Sequence, residues 1–313
     1  MLQNFLVCVN AVIPSAIYLA IGVLLRKTRV IGDTAVKIFT NVVFVALYPF
    51  LMFDNLYGKN ISENMDMKLV VYGFSATLLQ LLISWILVCK IEPNNYHRGA
   101  MIQALFRSNY VLMGLPIAIN LFGKSSVGPV AVLILFVVPL YNTATVIVFE
   151  NFRGGKVNIK DLILRILTNP IIEGGIVAGI FMVFHITLPD ILQNTVTTLA
   201  DATSPIALIL LGAGLNFKAF KSDRVRIAIC VVGKLIVFPA IFIGGAVLLG
   251  FTGVPLVALT LMLSTPVALA AYTMATSMGG NGKLSGELVV LTTALSCISI
   301  PLWLFLLKSN GLF

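Results

Sequence analysis

The 313-residue sequence predicts an all-α integral membrane protein: ten transmembrane helices arranged as two inverted five-helix repeats, with helices 4 and 9 broken. Three observations carry this expectation. Apolar residues make up 59% of the chain and Asp, Glu, Lys and Arg only 11%, whereas a soluble domain carries about 25% charged residues. Mean hydropathy is +1.02, and apolar stretches of about 20 residues, enough to cross a hydrocarbon core, follow one another along the chain. Prolines recur at matched positions in the two halves. This composition excludes a soluble enzyme, a nucleic-acid binder, a secreted disulfide scaffold and a disordered chain. It leaves transporter, channel, receptor and membrane-embedded enzyme.

The expected spans are 5–25, 35–57, 68–90, 99–122, 127–149, 162–186, 189–217, 226–250, 254–278 and 285–307. The opening MLQNFLVCVN has no basic n-region and reads as the first span rather than a signal peptide. Alternate connections carry Arg26, Lys27, Arg29 and Lys37; Lys90 and Arg98; Arg153, Lys156, Lys160 and Arg165; Lys218, Lys221, Arg224 and Arg226; and Lys283. The other connections hold only Lys59, Lys68, Lys124 and Lys308. Cytoplasmic loops retain Lys and Arg, so the first set is assigned to the cytoplasm and both termini to the extracytoplasmic side of a plasma (inner) membrane. The net charge of +9 is thus mainly topological. Cys8, Cys89, Cys230 and Cys297 all lie in apolar stretches with no CxxC or nearby His, so neither a disulfide frame nor a metal site is expected.

Pro14 and Pro49 are 35 residues apart, as are Pro170 and Pro205, and the two pairs are related by an offset of 156. Pro116 and Pro266 follow at an offset of 150, while Pro139 and Pro301 do not fit. The chain divides into a repeat at 1–150, a short basic connection at 151–165 and a second repeat at 166–313. Five spans per repeat forces the second copy to insert upside down, an arrangement associated with secondary transporters whose site lies at the midplane. The fourth span carries Gly114 before Pro116, and the ninth carries Ser264 and Thr265 before Pro266. Unwinding at these points would expose partly positive helix N-termini suited to an anion. Two ordinary proline kinks are the alternative.

The fourth span, SNYVLMGLPIAINLFG, resembles the PNTLVMGIPLLxxMYG pattern of the auxin efflux carrier family, with Asn109, Met113, Gly114, Pro116 and Gly123 on matching positions. LTNPIIEGGIVAGI resembles the stretch that opens NPNxY, matching Asn169 and Pro170, with Ile171 and Glu173 in place of the second Asn and the Tyr. LADATSPIALILLGAGL is similar to LSDAGLGMAMFSLGLFM at Asp201, Ala202 and Gly212. Pro266, Leu284, Ser285 and Pro301 match in the last two spans, and KLIVFP, with Lys234 and Pro239, resembles the KLxxxP of bacterial members. The resemblance runs in order over nearly the whole chain. It lacks the long hydrophilic loop of many plant carriers, and Arg107 is outside the plant pattern. The resemblance implies a homodimeric carrier. Its scaffold would comprise helices 1, 2, 6 and 7 and its moving transport bundle helices 3–5 and 8–10, with a substrate carboxylate at the crossing of helices 4 and 9.

An ionisable residue inside a span is expensive and is a functional candidate by default. Arg107 lies about 12 Å past the start of its helix; Lys234 has a similar depth in span 8, and Glu173 is placed near the middle of span 6. Arg107 and Lys234 are expected to meet the carboxylate, with Glu173 balancing one of them when the site is empty or coupling a proton. A structural ion pair or a snorkelling Lys234 is the alternative. Asn109, Gly114, Pro116, Ser264, Thr265 and Pro266 complete the expected binding set. Asp201 is a coupling or ion-pair candidate and Asp54 a solvated carboxylate. Gln80, Gln103 and Asn142 are weaker polar candidates. Gly175 and Gly179 read as a packing stripe, and His97 and His185 have no second ligand nearby.

These features lead to a secondary transporter of small organic anions, such as malate, malonate or auxin-like acids, working by alternating access. The expected partners are the carboxylate, the bilayer, a second copy of the chain and a coupled proton, with no cofactor and no nucleic acid. A sodium-coupled symporter of the bile-acid type shares the crossed-helix plan and is the first rival. A membrane enzyme would need a catalytic cluster, and the sequence holds no HExxH, nucleophile elbow or cysteine–histidine pair.

Overall fold

The computed structural model describes residues 2–57, 66–153, 160, 164, 168, 170–214 and 223–313. Lys59, Lys156, Arg165, Asn169, Lys218 and Lys221 lie outside the described residues. The described chain is helical, with one isolated backbone bridge and no strand. In chain order the helices are α1 (Leu2–Lys27), α2 (Asp33–Val42), α3 (Tyr48–Leu56), α4 (Met67–Ile91), α5 (Asn95–Phe106), α6 (Leu115–Phe122), α7 (Gly128–Arg153), α8 (Pro170–Val183) and α9 (Asp190–Gly214). They continue as α10 (Arg224–Val232), α11 (Phe238–Leu248), α12 (Gly253–Ser264), α13 (Leu269–Ser277) and α14 (Gly282–Ser309).

Among the described residues, seven stretches are long and apolar enough to cross a membrane: Phe5–Lys27, Asp33–Leu56, Met67–Ile91, Gly128–Arg153, Asp190–Gly214, Arg224–Leu248 and Gly282–Ser309. Three shorter apolar helices, Tyr110–Phe122, Pro170–Val183 and Gly253–Ser264, fall where the fourth, sixth and ninth spans were expected. This is therefore a multi-pass membrane protein, and it keeps polar side chains on the inner faces of its spans. Helix α4 buries Thr77, Gln80 and Ser84 while Val71, Leu82 and Ile86 face outward. In hydrocarbon an outward leucine costs nothing whereas an outward hydroxyl or amide does, so the polar residues of a span turn to the interior beside its apolar core.

Among the described residues three π-turns, Val43–Leu47, Tyr110–Gly114 and Gly233–Val237, each end two residues before a proline: Pro49, Pro116 and Pro239. Proline has no N–H for the carbonyl four residues back and its ring crowds that carbonyl. A widened turn relieves the contact without ending the helix. At Pro239 the released carbonyl is that of Leu235, and Trp303 Nε1 donates to it at 2.9 Å. The expectation of breaks at Pro116 and Gly114 is corrected accordingly. Both residues are helical, and the fourth span opens earlier, at Arg107–Asn109.

Two close helix pairs organise the remaining core. Helix α1 meets α9 so closely that a Cβ on Gly22 would lie 1.9 Å from the Ile209 carbonyl oxygen, and one on Gly212 would lie 2.1 Å from that of Leu19. Helix α8 meets α3 in the same way, with a Cβ on Gly174 placed 2.3 Å from the Pro49 carbonyl oxygen. Of the expected packing stripe, Gly175 abuts Leu135 and Gly179 faces open space.

The connections meet in two groups. At one end Arg226 spans Glu92, at 2.5 and 3.3 Å, and Asp223, at 2.7 Å, while the Asn281 N–H donates to the Tyr96 carbonyl at 3.0 Å. Burial pushes the Glu92 carboxyl up, but the Arg226 hydrogen bond, the Asn94 N–H and the charges of Arg226 and His97 outweigh it, leaving the group below its ordinary value. His97 Nδ1 lies 2.8 Å from the Asn281 amide, a structural contact at the head of α14. At the other end Tyr57 holds the 186–188 turn, Lys68 donates to the Leu249 carbonyl at 2.6 Å, and the Gly253 N–H reaches Leu312 at 2.7 Å.

Candidate functional site

The two interrupted spans touch where they are interrupted. Helix α5 ends at Phe106, and Arg107 is extended at φ −87°, ψ 115°. Helix α12 ends at Ser264, and Thr265 is extended at φ −66°, ψ 151°. Ser108 and Val267 form an antiparallel backbone bridge, and the Asn109 N–H donates to the Pro266 carbonyl at 2.7 Å. A third helix completes the clamp, because the Val267 N–H donates to Thr292 Oγ1 at 3.0 Å and that hydroxyl donates to Leu288 O at 2.7 Å. The hydrogen bonds lost by interrupting two helices are thus replaced across the contact, as a dry interior requires. Beyond the contact the chain starts helices again, at Tyr110 and at Leu269. The first N–H groups of a helix have no partner within it and carry partial positive charge.

Arg107 enters this junction 6% exposed. Its Nη1 donates to Thr145 Oγ1 at 3.2 Å and to Met274 Sδ at 3.0 Å, and its Nη2 to Asn142 Oδ1 at 2.8 Å. All three acceptors are neutral. Its Nε is buried without a hydrogen-bond partner, as are Asn109 Nδ2, Thr265 Oγ1 and Gln103 Oε1. Successive side chains of an extended segment point to opposite sides, so Ser108 faces away from Arg107 and meets Lys234, whose ammonium donates to its hydroxyl. Lys234 is fully buried, and the π-turn at Gly233–Val237 carries it. Among the described residues neither Arg107 nor Lys234 forms an ion pair; the pairs lie elsewhere, at Arg26–Asp33, Lys124–Asp201 and Arg226–Glu92 among others.

The structure sorts the expected residues. Arg107, Asn109, Thr265 and Pro266 come together, with Lys234 behind Ser108. Ser264 donates to Thr260 O at 2.7 Å and is committed to its own helix. Gly114 accommodates the Tyr110 ring, to which a Cβ would come within 2.4 Å, and Pro116 opens α6. Glu173 is corrected: it lies exposed in the first turn of α8, which packs on α3, and balances neither buried cation. Asp201 pairs with Lys124 at the far end of the fourth span. Asp54 accepts from Thr197 Oγ1 at 2.6 Å. Ser108, Thr145 and Thr292 were missed, because a hydroxyl in an apolar run carries no local signal of its distant partner.

The model of the membrane transport protein family matches residues 7–304. The chain belongs to that family. An "Uncharacterized transporter" of Methanocaldococcus jannaschii is 23% identical over 303 residues, covering 94% of this chain and 97% of the relative. A second protein of that description, from Methanothermobacter thermautotrophicus, is 24% identical over 309 residues, covering 96% and 98%. A "Putative malonate transporter" of Rhizobium meliloti is 26% identical over 215 residues, 65% of each chain. This membrane transport protein is a transporter and not an enzyme. Within it, Thr292 is the group that holds the second break open. Replacing Thr292 with Val leaves the Val267 N–H without its acceptor and should cost about 1–3 kcal/mol of stability, read as a lower melting temperature, whereas Thr292→Ser should melt close to wild type. Equal melting temperatures in both variants would remove Thr292 from the clamp.

Proposed function

We propose that this protein is a secondary transporter of small organic anions, carboxylates of the malonate or malate type, which binds its substrate where the two interrupted spans meet and works by alternating access. One observation carries the reading: two buried cations that meet no carboxylate among the described residues flank a junction where two half-helices begin. A buried cation is tolerable when an anion neutralises it. Arg107 Nε, Asn109 Nδ2 and Thr265 Oγ1 would hold one carboxylate, and Lys234 would add positive potential from behind Ser108. The excess of positive groups favours a short dicarboxylate over a single carboxylate on an aromatic ring, and the description of the Rhizobium meliloti relative points the same way.

The same reading makes 1–150 and 166–313 inverted repeats. Spans 1, 2, 6 and 7 form the scaffold, which the α1–α9 and α8–α3 contacts support, and spans 3–5 and 8–10 form the transport bundle in a homodimer. The end bearing Glu92, Arg226 and Lys283 faces the cytoplasm of a plasma (inner) membrane, with both termini outside. A negative interior favours anion export by about 2.3 kcal/mol per charge per 100 mV, so import needs a coupled cation. The exposed Glu173 does not suit that task.

Purified protein tested by equilibrium binding against mono- and dicarboxylates decides the matter. Malonate or malate should bind saturably and ahead of acetate and indole-3-acetate. Equal, non-saturating signals for all of them would overturn the reading.

A further inference from the structure

A second polar feature lies away from the junction. A cavity of about 160 Å³ opens between α1, α3, α6 and α9, at the end opposite Glu92 and Arg226. Its lining includes Ser15, Asp54, Asn55, Asn120, Lys124 and Asp201. Two carboxylates against one ammonium leave the lining net negative, which is the wrong sign for a carboxylate. The neutral groups are turned to match. Asn55 Nδ2 donates to Leu51 O at 2.7 Å and Asn120 Nδ2 to Ala11 O at 3.0 Å, so in both amides the N–H side is committed to backbone and the oxygen remains. Ser15 Oγ, 1% exposed, has no hydrogen-bond partner. Pro205, four residues after Asp201, has no N–H for the Asp201 carbonyl, and both residues line the cavity.

We propose that this cavity is a binding site for a small hard monovalent cation, with sodium as the probe, and that its occupancy is coupled to carboxylate transport. Carboxylate, amide and hydroxyl oxygens are the ligands hard cations take, and a surplus of one negative charge suits a monovalent ion better than a divalent one. Lys124 sits on Asp201 as a tethered positive charge, so an incoming cation competes with it. The site joins α1, α3 and α9 to α6, the second half of the interrupted fourth span. A cation there bridges elements that the transport reading moves past one another, and this coupling rests on that reading. A cation carried inward with the substrate offsets one of the two charges that a dicarboxylate moves against the membrane potential.

The test uses the full chain purified in lipid nanodiscs, with radioactive sodium as ligand, choline replacing sodium at constant ionic strength, and no carboxylate present. Wild type should bind sodium saturably. Asp54→Asn should weaken binding by about tenfold or more, through loss of a full charge at a cation. Lys124→Gln should tighten it several-fold by removing the competitor, a gain that a structural ion pair would not give. Ser15→Ala serves if Asp54→Asn does not fold, and should weaken binding about tenfold or less, one hydrogen-bonding oxygen. No saturable sodium binding in wild type, or binding unchanged in all variants, overturns the site. Because no carboxylate is present, the result stands apart from the carboxylate panel: sodium binding without malonate binding would sink the transport reading and keep the cation site.

Discussion

Replacing Arg107 with Gln should reduce carboxylate transport in proteoliposomes by about 30–200-fold, the loss of a charged hydrogen bond worth about 2–3 kcal/mol. The side chain is all but buried, its three partners are neutral, and its Nε is buried without an acceptor. Gln can keep one contact to Asn142 or Thr145 but brings no charge. Arg107→Lys should rescue little, because a single ammonium cannot hold Asn142, Thr145 and the substrate with a planar fork. Both variants should elute from a sizing column as wild type does. A correctly inserted Arg107→Gln protein that transports malonate within about twofold of wild type would end the argument for a carboxylate at this arginine.

The largest effect on stability is expected at Gly212. A Cβ there lies 2.1 Å from the Leu19 carbonyl oxygen, and the reciprocal atom on Gly22 lies 1.9 Å from that of Ile209. These neighbours are backbone, so no rotamer change makes room, and α1 and α9 must separate along their shared face. Helix association in a bilayer rests on such close packing rather than on hydrophobic burial. Gly212→Ala should therefore cost about 3 kcal/mol, at the upper end of overpacking penalties. It should show as a much lower melting temperature or as loss of folded protein after extraction. Gly179→Ala is the control, since nothing lies within 4 Å of its Cβ, and it should melt as wild type does. If Gly212→Ala melts with wild type, the α1–α9 contact is looser than described.

Much of the transporter was legible in the chain itself, and the reasons are local. A composition of 11% charged residues cannot cover a water-facing surface, so the membrane class needed no fold. Arg107 stood out because a cation inside an apolar stretch is costly wherever it packs. The ninth span was read as interrupted beside Pro266, and the structure opens it there, at Thr265–Ala268. The fourth span has its proline at Pro116 but does not open there. A proline removes one hydrogen bond, but a π-turn absorbs that loss and keeps the helix running through Gly114 and Pro116.

The opening at Arg107–Asn109 contains no proline or glycine. It stays extended because the Asn109 N–H finds the Pro266 carbonyl, in a segment far along the chain. Glu173 shows the same limit from the other side. Its sequence position suggested a buried counter-charge, yet helix rotation about the tight Gly174–Pro49 contact leaves it exposed. The sequence alone determined what kind of solvent the chain lives in, which spans are interrupted and that two cations, Arg107 and Lys234, are out of place, since these depend on residues within a few turns of one another. Only the tertiary structure decided where the fourth span opens, that Lys234 stands behind Ser108, and that Asp54, Asn55 and Ser15 share one cavity. Those facts depend on hydrogen bonds and contacts between distant segments, which the backbone preferences of neighbouring residues do not encode.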